Sequence, residues 1–570
     1  MNSGGSYIPV ILSDLLSAHG VKDIVISPGS RNTPLILALA NEKKFRLYSV
    51  IDERSAAFIA LGIGIKTGKA VALVCTSGTA LLNYAPAIAE AYYSKVPLIV
   101  VSADRPQQWI DQYEGQTIRQ NGILEGIVAA SYNLASEIEM RDKEWYANRI
   151  INEALLKANN LKLPVHINVS FAEPLNIIDT DAGRHKFFPR KIDYYKPSQI
   201  LSLATIKQLA GAFEKKNIAI AVGSNRPDAK LNKSLKRLSV LPNVLIFHEA
   251  QSNIKGVDTS IRVSDPFLSA INFYNMPHPD LVIAIGGTWV SSSFKEYIRQ
   301  LPDKTEVWTL SENLEQGLAD CFMHLTKCFD VDAPSFLNGM ASILEHKEIV
   351  PTSFKKDWLE AKERYRSVSK DVVPCSVWSD LKAIDTLVAC LPENTDLHVS
   401  NGMSIRYLQV TSYTRLHRID CNRGCNGIDG STSTAVGASL VSKCPTVLLT
   451  GDMSMVYDIS GLASDLKGSN LTVFVVNNYG GDIFRIIKTT RNLSFREDYM
   501  THPISSSFEN IADAFGFYYQ KIESVEQLKQ CCRMVTDNSL GPKLFEINTV
   551  GVNNSDVYLS LYQSLKNQKP

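Results

Sequence analysis

Two apolar runs within residues 444–487 constrain the fold of this chain more than any other feature of its sequence. Val447–Thr450 and Leu471–Val476 are short and continuously apolar, as is typical of parallel strands that are buried on both faces. The residues between them predict a helix over Tyr457–Lys467. The segment therefore predicts a strand–helix–strand unit, in which both strands end at the same edge of a sheet.

The residues that follow these two predicted strands are suited to bind a metal ion and a diphosphate. Asp452 follows the first strand, and Asn478 follows the second and precedes Gly480 and Gly481. A carboxylate, an amide oxygen and a backbone carbonyl are hard ligands for Mg²⁺, and glycine lets the backbone approach a phosphate closely. Each half alone is better explained by a helix cap or an Asn-Gly turn. Because both halves lie at neighbouring strand ends, we predict a metal–diphosphate site.

The same alternation of strand and helix recurs along the chain. The first series contains the predicted strands Asp23–Ser27, Leu47–Ile51, Ala70–Thr76, Pro97–Ser102 and Val165–Val169. The second contains Ile218–Val222, Val244–Phe247, Leu281–Ile285 and Glu306–Leu310. The third contains Leu397–Ser400, Arg418–Cys421, Val447–Thr450, Leu471–Val476 and Leu544–Asn548. Polar segments at 175–200 and 345–375 separate the series, so we predict three successive α/β domains, each a doubly wound parallel sheet.

Composition argues against several classes of function. A formal net charge of +1 gives no electrostatic reason to bind nucleic acid or an acidic membrane surface. The ten cysteines include no CxxC pair, which favours reduced thiols over a zinc site. No run approaches the ~18 apolar residues of a membrane span, and the first residues lack the features of a signal peptide. We therefore expect a soluble, cytoplasmic protein.

Glu53 is a second candidate functional residue. It follows the predicted strand Leu47–Ile51 and precedes an apolar helix at Ala56–Ile65. A carboxyl group in this position is either a helix start favoured by the helix dipole or a partly desolvated functional group. The glycines from Gly62 to Gly68 lie within or at the end of that helix, so they do not form the strand-to-helix turn of a dinucleotide fingerprint.

Eight motifs lie at predicted strand ends and in the loops beside them, in the order SPGSRNTPL (27–35), DERSAAFIALG (52–62), TSGTALLN (76–83), ADRP (103–106), GQTIRQ (115–120), CNRGCNGIDGSTSTA (421–435), GDMSMVYD (451–458) and NNYGGDIF (477–484). Together they resemble the motifs of one family of thiamine diphosphate enzymes, the 2-succinyl-5-enolpyruvyl-6-hydroxy-3-cyclohexene-1-carboxylate synthases of menaquinone biosynthesis. The Gly-Asp and Asn-Asn pairs by themselves resemble the wider thiamine diphosphate signature. The resemblance covers nearly the whole chain.

The resemblance implies the fold of the thiamine diphosphate-dependent 2-oxoacid decarboxylases. It implies a pyrimidine-binding domain at 1–180, a central transhydrogenase-like domain at 200–345 and a diphosphate-binding domain at 375–570. The implied reaction is decarboxylation of 2-oxoglutarate and addition of the succinyl-semialdehyde carbanion to isochorismate, with thiamine diphosphate and Mg²⁺ or Mn²⁺ as cofactors. A homodimer or homotetramer is also implied, because in these enzymes the cofactor lies between the first domain of one subunit and the third domain of another.

The resemblance also implies roles for the residues that contact the cofactor. Glu53 corresponds to the glutamate that hydrogen-bonds the aminopyrimidine ring, Ile428 to the apolar residue that bends the cofactor, and Phe484 to an apolar wall beside the reacting carbon. The implied metal ligands are Asp452, Asn478 and the carbonyl of Gly480. The remaining implied cofactor contacts are Pro28, Gly402, Met403 and Ser454.

The implied substrates carry several carboxylates, which the planar guanidinium of arginine binds well. Arg406 and Arg423 are implied to hold the distal carboxylate of 2-oxoglutarate. The residues implied on the isochorismate side are Ser30, Arg31, Arg105 and Gln116. One loop arginine is more commonly part of a surface ion pair, whereas four of them in strand-end loops favour a shared anion site.

The sequence departs from the family pattern at a few positions. Gly115 and Gly402 stand where members often have polar residues. Ser292 and Ser293 stand where some members have a Lys-Arg pair in the central domain, and Lys295 is the nearest cation. These departures affect the contacts to isochorismate more than the cofactor site.

Three other functions stay open on the sequence. Another thiamine diphosphate enzyme, such as an acetolactate synthase or a simple 2-oxoacid decarboxylase, would have no use for Arg406 and Arg423. A non-catalytic cofactor-binding scaffold or regulatory subunit is disfavoured because Glu53, Asp452 and Asn478 are all intact, whereas drift would most easily remove them. A nucleotide- or flavin-dependent oxidoreductase rests only on the strand pattern of the central series.

Overall fold

The computed structural model describes residues 6–41, 43–136, 142–178, 188–197, 199–271, 273–311, 317–375, 377–411, 416–465 and 469–567. Within these ranges the strands form three parallel sheets of six strands each, with helices packed around them. The predicted fold class, an α/β chain with three doubly wound parallel sheets, is thereby confirmed. None of the helices in these ranges is both long enough and apolar enough to cross a membrane.

The first sheet has the strand order β2-β1-β3-β4-β6-β5. Its strands are β1 Asp23–Ile26, β2 Arg46–Ser49, β3 Val71–Cys75, β4 Leu98–Asp104, β5 Ser131–Ala135 and β6 Val165–Ser170. The helices in this part of the chain are Ile8–Ala18, Thr33–Ala40, Glu53–Thr67, Thr79–Asn83, Ala85–Tyr93 and Lys143–Leu161. Apolar side chains of the first and last of these helices pack on alternate residues of the strands and form one core.

The second sheet has the order β12-β11-β10-β7-β8-β9. Its strands are β7 Ile218–Val222, β8 Val244–His248, β9 Ser260–Arg262, β10 Leu281–Ile285, β11 Glu306–Ser311 and β12 Leu325–Asp330. The helices in this part are Leu203–Phe213, Ala229–Leu238, Asp265–Ile271, Ser292–Arg299, Ala333–Leu344 and Ser353–Cys375. Separate apolar cores lie on its two faces, one around Trp308 and the other around Trp358.

The third sheet has the order β14-β13-β15-β16-β18-β17. Its strands are β13 Asp396–Val399, β14 Arg418–Asp420, β15 Thr446–Gly451, β16 Leu471–Asn477, β17 Tyr518–Ile522 and β18 Lys543–Asn548. The helices in this part are Asp380–Cys390, Met403–Val410, Ser431–Val441, Asp452–Tyr457, Ile483–Ile486, Arg496–Tyr499, Phe508–Ala514, Val525–Met534 and Asn554–Asn567. Short 3-10 turns occur at Gln107–Trp109, Glu125–Ile127, Ala250–Ser252, Phe273–Asn275, Ile459–Ala463 and Asn538–Leu540.

The sequence prediction omitted four strands, and all four lie at or beside the edges where few apolar residues are needed. They are β5, β9, β12 and β17. A central strand such as β4 is buried along its whole length and is therefore continuously apolar. The edge strand β12 has only partly buried and exposed residues, so its polar sequence is typical of a loop.

The predicted helix Tyr457–Lys467 is wrong. The helix of this segment begins at Asp452, directly after β15, and ends at Tyr457. The 3-10 turn Ile459–Ala463 follows it, and residues 466–468 lie outside the described ranges. An acidic residue in the first turn favours the earlier start, because it interacts with the positive end of the helix dipole. The unit is still a strand–helix–strand unit, with a shorter helix than predicted.

The described residues form two compact units. Unit 1 comprises Met1–Lys196, Asn422–Thr446 and Ser454–Leu471, and unit 2 comprises Pro197–Cys421, Val447–Met453 and Thr472–Pro570. Two segments of the third series therefore belong to the unit that contains the first sheet. The domain boundaries that were drawn from the sequence stay predictions.

Within unit 1, the helix Glu53–Thr67 packs closely against the helix that carries Gly437. Gly62 faces the carbonyl oxygen of Thr434, and Gly437 faces the carbonyl oxygen of Ile59. A Cβ atom at either glycine would overlap the opposing carbonyl group. Gly62 and Gly437 therefore serve close helix packing, in agreement with the prediction that the glycines from Gly62 to Gly68 do not form a dinucleotide fingerprint.

Gly62→Ala is expected to destabilise the protein by about 1–3 kcal/mol, because the new methyl group would force the two helices apart. Gly211→Ala is the matched control: it lies within the helix Leu203–Phe213, and a Cβ there would meet nothing within 4 Å. That substitution should instead stabilise by about 1 kcal/mol through helix propensity. The midpoint of urea unfolding compares the two variants, and equal shifts in the same direction would contradict the packing role of Gly62.

Candidate active site

The carboxylate of Asp452 lies where β15 ends, in unit 2. Its Oδ1 accepts a hydrogen bond from the backbone N–H of Met453 at 2.7 Å, and its Oδ2 accepts one from the N–H of Gly480 at 2.9 Å. The side chain is buried, and burial raises the pKa of this carboxyl group. The structure thus joins the ends of β15 and β16, as the strand–helix–strand prediction required.

Asn478 follows β16 and turns the two ends of its amide toward different surroundings. Its Nδ2 donates a hydrogen bond to Oδ2 of Asp380 at 2.7 Å. Its Oδ1 is buried and accepts no hydrogen bond from any described residue. A buried amide oxygen without a donor is costly, because the protein does not replace the water that it has lost. This oxygen is therefore available for a cation.

Asp380 was not predicted as part of this site. It is buried at the start of the helix Asp380–Cys390, and its Oδ1 accepts a hydrogen bond from Oγ1 of Thr549 at 2.5 Å. Burial raises the pKa of Asp380 to about 7 against the lowering effect of its two hydrogen bonds, and the charges of Asp482 and Asp452 add to the rise. In the sequence it looks like any acidic residue in the first turn of a helix, so only the fold shows its proximity to Asn478.

The turn after Asn478 has a backbone that needs glycine. Gly480 has a φ of 125°, and a Cβ on it would overlap the carbonyl oxygen of Thr501. The N–H of Gly481 donates to the same Thr501 carbonyl at 2.6 Å. The carbonyl of Gly480 accepts the N–H of Asp482 at 2.8 Å, which leaves its second lone pair for another partner. The half-buried Phe484 lies in the short helix that follows.

These residues fit a hard divalent cation. The available donors are a carboxylate, an amide oxygen and a backbone carbonyl, which is the ligand chemistry of Mg²⁺. Oδ2 of Asp482 is a second buried oxygen that accepts no hydrogen bond within the described ranges. Asp380, Asp452 and Asp482 act on one another electrostatically, and a cation would relieve their mutual repulsion.

The helix Met403–Val410 presents the predicted residues Gly402, Met403 and Arg406. Gly402 caps the helix with a φ of 95°, and its carbonyl accepts a hydrogen bond from Nη1 of Arg406 at 2.7 Å. Met403 is buried. At the other end of the helix, Oε1 of Gln409 accepts the N–H of Ala250 at 2.9 Å. The guanidinium of Arg406 is thus fixed by a carbonyl at the start of its own helix, and the turn that contains Ala250 fixes the other end of that helix.

In unit 1, Arg31 lies in the loop after β1 and Arg105 directly follows β4, with β3 between these two strands in the first sheet. Nη1 of Arg31 donates to the carbonyl of Phe171 at 3.1 Å, and Nε of Arg105 donates to the carbonyl of Gly115 at 3.1 Å. The pKa of Arg31 is lowered by burial first and by the positive charge of Arg105 second. Each guanidinium group has a carboxylate partner at the protein surface, since Arg31 lies 3.4 Å from Glu173 and Arg105 lies 3.6 Å from Glu114. An anionic ligand would have to replace these exposed or half-exposed partners.

Pro28, Ser30 and Gln116 are exposed in the same loops. Gln116 has a φ of 57°, and Asp111 and Tyr113, earlier in its loop, also have positive φ values of 64° and 61°. Non-glycine residues seldom adopt this conformation, and clusters of them are typical of functional loops. The loop that carries Gln116 therefore has the character of a binding loop.

Gln120, at the end of this loop, was missed as a structural support. Its side chain is fully buried, and its Oε1 accepts the N–H of Gly78 at 2.7 Å. Its Nε2 donates to the carbonyl of Ala103 at 3.1 Å and to Oδ1 of Asn168 at 2.8 Å. One side chain therefore connects the loops that follow β3 and β4. The only signal in the sequence was its position as the last residue of the GQTIRQ motif.

Glu53 begins the helix Glu53–Thr67 and is half-buried. Asp52 caps that helix, since its Oδ1 accepts the N–H of Arg54 at 2.9 Å. Burial raises the pKa of the Cys75 thiol at the end of β3, and the charge of Glu53 raises it further. Of the two acidic residues, Asp52 is therefore the one that serves as the helix cap, which leaves the side chain of Glu53 for another role.

The loop that carries Arg423 and Ile428 is also in unit 1. Glu90, which the sequence did not indicate, accepts the N–H of Gly424 at 2.7 Å and the N–H of Cys425 at 2.6 Å. Burial raises the pKa of Glu90, and these hydrogen bonds and the charge of Arg423 oppose the rise. The carbonyl of Ile428 accepts Oγ of Ser454 at 3.0 Å, so two predicted cofactor contacts are adjacent.

The predicted residues are divided between the two units. Unit 1 contains Pro28, Ser30, Arg31, Glu53, Arg105, Gln116, Arg423, Ile428 and Ser454. Unit 2 contains Gly402, Met403, Arg406, Asp452, Asn478, Gly480 and Phe484. Within each unit the predicted residues follow strand ends or the loops beside them, which is where parallel α/β sheets bind ligands.

In the central sheet, two loops are in contact at the point where sheets of this type bind nucleotides. Its strand order reverses between β7 and β10, and the loops after these two strands touch through their backbones. The N–H of Gly287 donates to the carbonyl of Ser224 at 2.8 Å, and a Cβ on Gly223 would overlap the carbonyl of Gly287. This packing disfavours the nucleotide- or flavin-dependent alternative. Lys295 lies on the helix Ser292–Arg299 that follows the second loop.

Comparison with known proteins agrees with this arrangement. Residues 10–123 match the family model described as "Thiamine pyrophosphate enzyme, N-terminal TPP binding domain". A 2-succinyl-5-enolpyruvyl-6-hydroxy-3-cyclohexene-1-carboxylate synthase of Porphyromonas gingivalis is 36% identical over 560 residues, which cover 97% of this chain and 96% of the relative. The synthase of the same name from Christiangramia forsetii is 36% identical over 585 residues, covering 98% and 99% of the two chains.

A third relative with this name, from Bacteroides fragilis, is 35% identical over 564 residues, covering 97% of this chain and 98% of the relative. Such identity over nearly the full length of both chains confirms the resemblance drawn from the eight motifs. It also confirms the expectation of a thiamine diphosphate-dependent enzyme. The chain belongs to the 2-succinyl-5-enolpyruvyl-6-hydroxy-3-cyclohexene-1-carboxylate synthase family.

Proposed function

We propose that this protein decarboxylates 2-oxoglutarate and adds the remaining succinyl unit to isochorismate, with thiamine diphosphate and Mg²⁺ or Mn²⁺ as cofactors. The observation that carries the proposal is the oxygen cluster after β15 and β16. There, the buried carboxylate of Asp452 and the unpartnered Oδ1 of Asn478 follow adjacent strands. Its donors suit a cation that carries a diphosphate, and the family model supports the thiamine part of the cofactor.

The cation would be held by Asp452, by Oδ1 of Asn478 and by the carbonyl of Gly480. Thiamine diphosphate, when bound, supplies the electron sink for loss of CO₂ from a 2-oxoacid. Glu53 would hydrogen-bond the pyrimidine ring nitrogen and hold a proton there. The side chain of Ile428 would pack against the cofactor, and Ser454 would hold the backbone of Ile428 in place through the hydrogen bond to its carbonyl.

Two groups of arginines support the proposed substrates. Arg31 and Arg105 act on each other electrostatically in unit 1, as is favourable for a substrate with more than one carboxylate. On the family resemblance, Arg406 and Arg423 are proposed to hold the distal carboxylate of 2-oxoglutarate. Backbone hydrogen bonds fix Arg31, Arg105 and Arg406, so little side-chain entropy remains to be lost on binding.

An acetolactate-type enzyme or simple 2-oxoacid decarboxylase is the second candidate, because it would use the same cofactor site. It would not need a cation for a distal carboxylate. The anchoring of Arg406 at the start of its helix favours the first candidate. The homodimer or homotetramer and the cytoplasmic location are proposed on the family resemblance alone.

Arg406→Gln is expected to lower kcat/KM for 2-oxoglutarate by about 10–100-fold, because a charge-assisted hydrogen bond of about 1.5–3 kcal/mol is lost. The same variant should change kcat/KM for 2-oxopentanoate, which has no distal carboxylate, by less than about threefold. Steady-state CO₂ release with each oxoacid measures both values.

Arg149→Gln is the matched control, since Arg149 is an exposed arginine paired with Glu153 on a helix surface. Its kcat/KM values should equal those of the unmodified enzyme. A loss of the same size on both oxoacids in Arg406→Gln would contradict carboxylate binding by Arg406.

Product formation tests the proposed function itself. The purified protein is incubated with Mg²⁺, thiamine diphosphate and a 2-oxoacid, with and without isochorismate. The proposal requires turnover of 2-oxoglutarate and an adduct only when isochorismate is present. Turnover of pyruvate in place of 2-oxoglutarate would favour the second candidate and overturn the first.

A further inference from the structure

The orientation of the Asn478 amide decides whether this residue can bind a cation. An amide group has nearly the same shape after a half-turn, but only its oxygen can bind a metal ion. With Nδ2 on Asp380, the buried Oδ1 points away without a partner among the described residues. In the reverse orientation the NH₂ group would face the cation and repel it.

Asp380 itself is held in one position. Its backbone N–H donates to Oδ1 of Asn554 at 2.8 Å, and its side-chain Oδ1 accepts Oγ1 of Thr549 at 2.5 Å. The N–H of Thr549 donates to the carbonyl of Asn477 at 2.9 Å, next to Asn478 in the chain. The carboxylate is therefore fixed relative to the backbone of the residue that it contacts.

In this arrangement the Asp380 side chain only accepts hydrogen bonds, at Oδ1 from Oγ1 of Thr549 and at Oδ2 from Nδ2 of Asn478. It therefore stabilises only the orientation in which Nδ2 of Asn478 faces it. We propose that Asp380 is a positioning residue that selects this orientation and so directs Oδ1 of Asn478 to the divalent cation. The proposal rests on the metal role of Asn478 in the proposed function.

Asp380→Leu replaces the hydrogen-bond acceptor by an apolar side chain of similar size. We expect its affinity for Mn²⁺ in the presence of thiamine diphosphate to fall by about 10–100-fold, as is typical when a residue that orients a metal ligand is lost. Asp380→Asn keeps an oxygen that can face Nδ2, so it should lose less than about fivefold. Free Mn²⁺, measured by electron paramagnetic resonance during titration, gives both affinities without reference to catalysis.

Asp385→Leu is the matched control, because Asp385 lies on the same helix and is also buried. It should lower the melting temperature of the apo-protein without weakening Mn²⁺ binding. An equal loss of Mn²⁺ affinity in Asp385→Leu and Asp380→Leu would show a structural effect of the helix and overturn the proposal.

The Asn478→Asp variant separates the effect of amide orientation on Mn²⁺ binding from the effect of the charge of Asp380. In Asn478→Asp the ligand has two equivalent oxygens, so no orientation has to be selected. There, Asp380→Leu should weaken Mn²⁺ binding by less than about threefold, because only the attraction of a nearby negative charge is lost and no amide orientation. The same loss in both backgrounds would contradict the positioning role.

Two results separate this proposal from the metal site on which it rests. If Asn478→Ala leaves Mn²⁺ affinity unchanged, the metal site itself is wrong. If Asn478→Ala weakens binding but Asp380→Leu does not, only the positioning role is wrong.

If Asp380→Leu fails to fold, Thr549→Val is the variant that tests the proposal. It removes the second hydrogen bond of Asp380 and should weaken Mn²⁺ binding by about 3–10-fold. Unchanged affinity in that variant would overturn the proposal.

Discussion

Glu53→Gln is expected to lower kcat by about 10²–10⁴-fold while the protein still binds thiamine diphosphate and Mg²⁺. The substitution keeps the size of the side chain but removes the group that would hold a proton at the pyrimidine nitrogen. The fold should tolerate it, because Asp52 is the residue that caps the helix. The diphosphate and the cation depend on Asp452 and Asn478, which the substitution leaves intact.

Isothermal titration with thiamine diphosphate, together with CO₂ release from 2-oxoglutarate, separates binding from turnover in this variant. The matched control is Glu526→Gln, which removes an exposed first-turn glutamate from the helix Val525–Met534. Both variants lose a favourable interaction with a helix dipole, of about 0.3–1 kcal/mol. Near-normal turnover in Glu53→Gln would refute the role proposed for Glu53.

Asp452→Asn is expected to weaken divalent cation binding by at least about 100-fold and to abolish turnover at millimolar Mg²⁺, because a metal ligand is lost outright. Without a cation, the variant should be as stable as the unmodified protein or more stable. The reason is that burial raises the pKa of Asp452, which means that the folded protein is penalised for holding this charge without a counter-ion.

Melting temperatures with and without Mg²⁺ and thiamine diphosphate test this expectation. A ligand at 100 times its Kd stabilises a protein by about 2.7 kcal/mol, so the unmodified enzyme should melt at a clearly higher temperature when loaded. The loaded variant should show almost no rise. Asp396→Asn is the control, since Asp396 is equally buried in the same sheet and accepts a hydrogen bond from His417. A normal rise in Asp452→Asn would contradict its role as a ligand.

The strands of the sheet interiors could be predicted from sequence because they are continuously apolar. β7 and β10 were predicted with their observed bounds, since strands buried on both faces are continuously apolar and end abruptly at polar turns. The edge strands β5, β9, β12 and β17 were missed because fewer of their side chains need to be apolar. The helix after β15 was misplaced because the prediction did not use the acidic first turn at Asp452, where the helix begins.

Some residues of the candidate site could likewise be predicted from the sequence, and others could not. Asp452, Asn478 and Gly480 were predictable, because parallel topology alone brings their strand ends together. Asp380, Glu90 and Gln120 were not, because each supports a site residue from a distant part of the chain and lies in an ordinary helix or loop sequence. Supporting residues of this kind become visible only when hydrogen bonds can be assigned across the fold.

For the glycines of the helix Glu53–Thr67, the sequence could exclude one function but could not indicate the actual one. The sequence excluded a dinucleotide-binding turn, since the glycines are helical. It gave no sign of what they do instead, because the opposing carbonyl of Thr434 comes from a segment more than three hundred residues later. Close helix packing requires knowledge of both partners.

The most direct test of the proposed function is an isotope-tracing experiment with the purified protein. Uniformly ¹³C-labelled 2-oxoglutarate is supplied with unlabelled isochorismate, thiamine diphosphate and Mg²⁺, and the products are analysed by mass spectrometry. We predict one adduct that contains the isochorismate skeleton and every labelled carbon except the carboxylate lost as ¹³CO₂. Release of ¹³CO₂ with all remaining label in free succinic semialdehyde, whether or not isochorismate is present, would contradict the account.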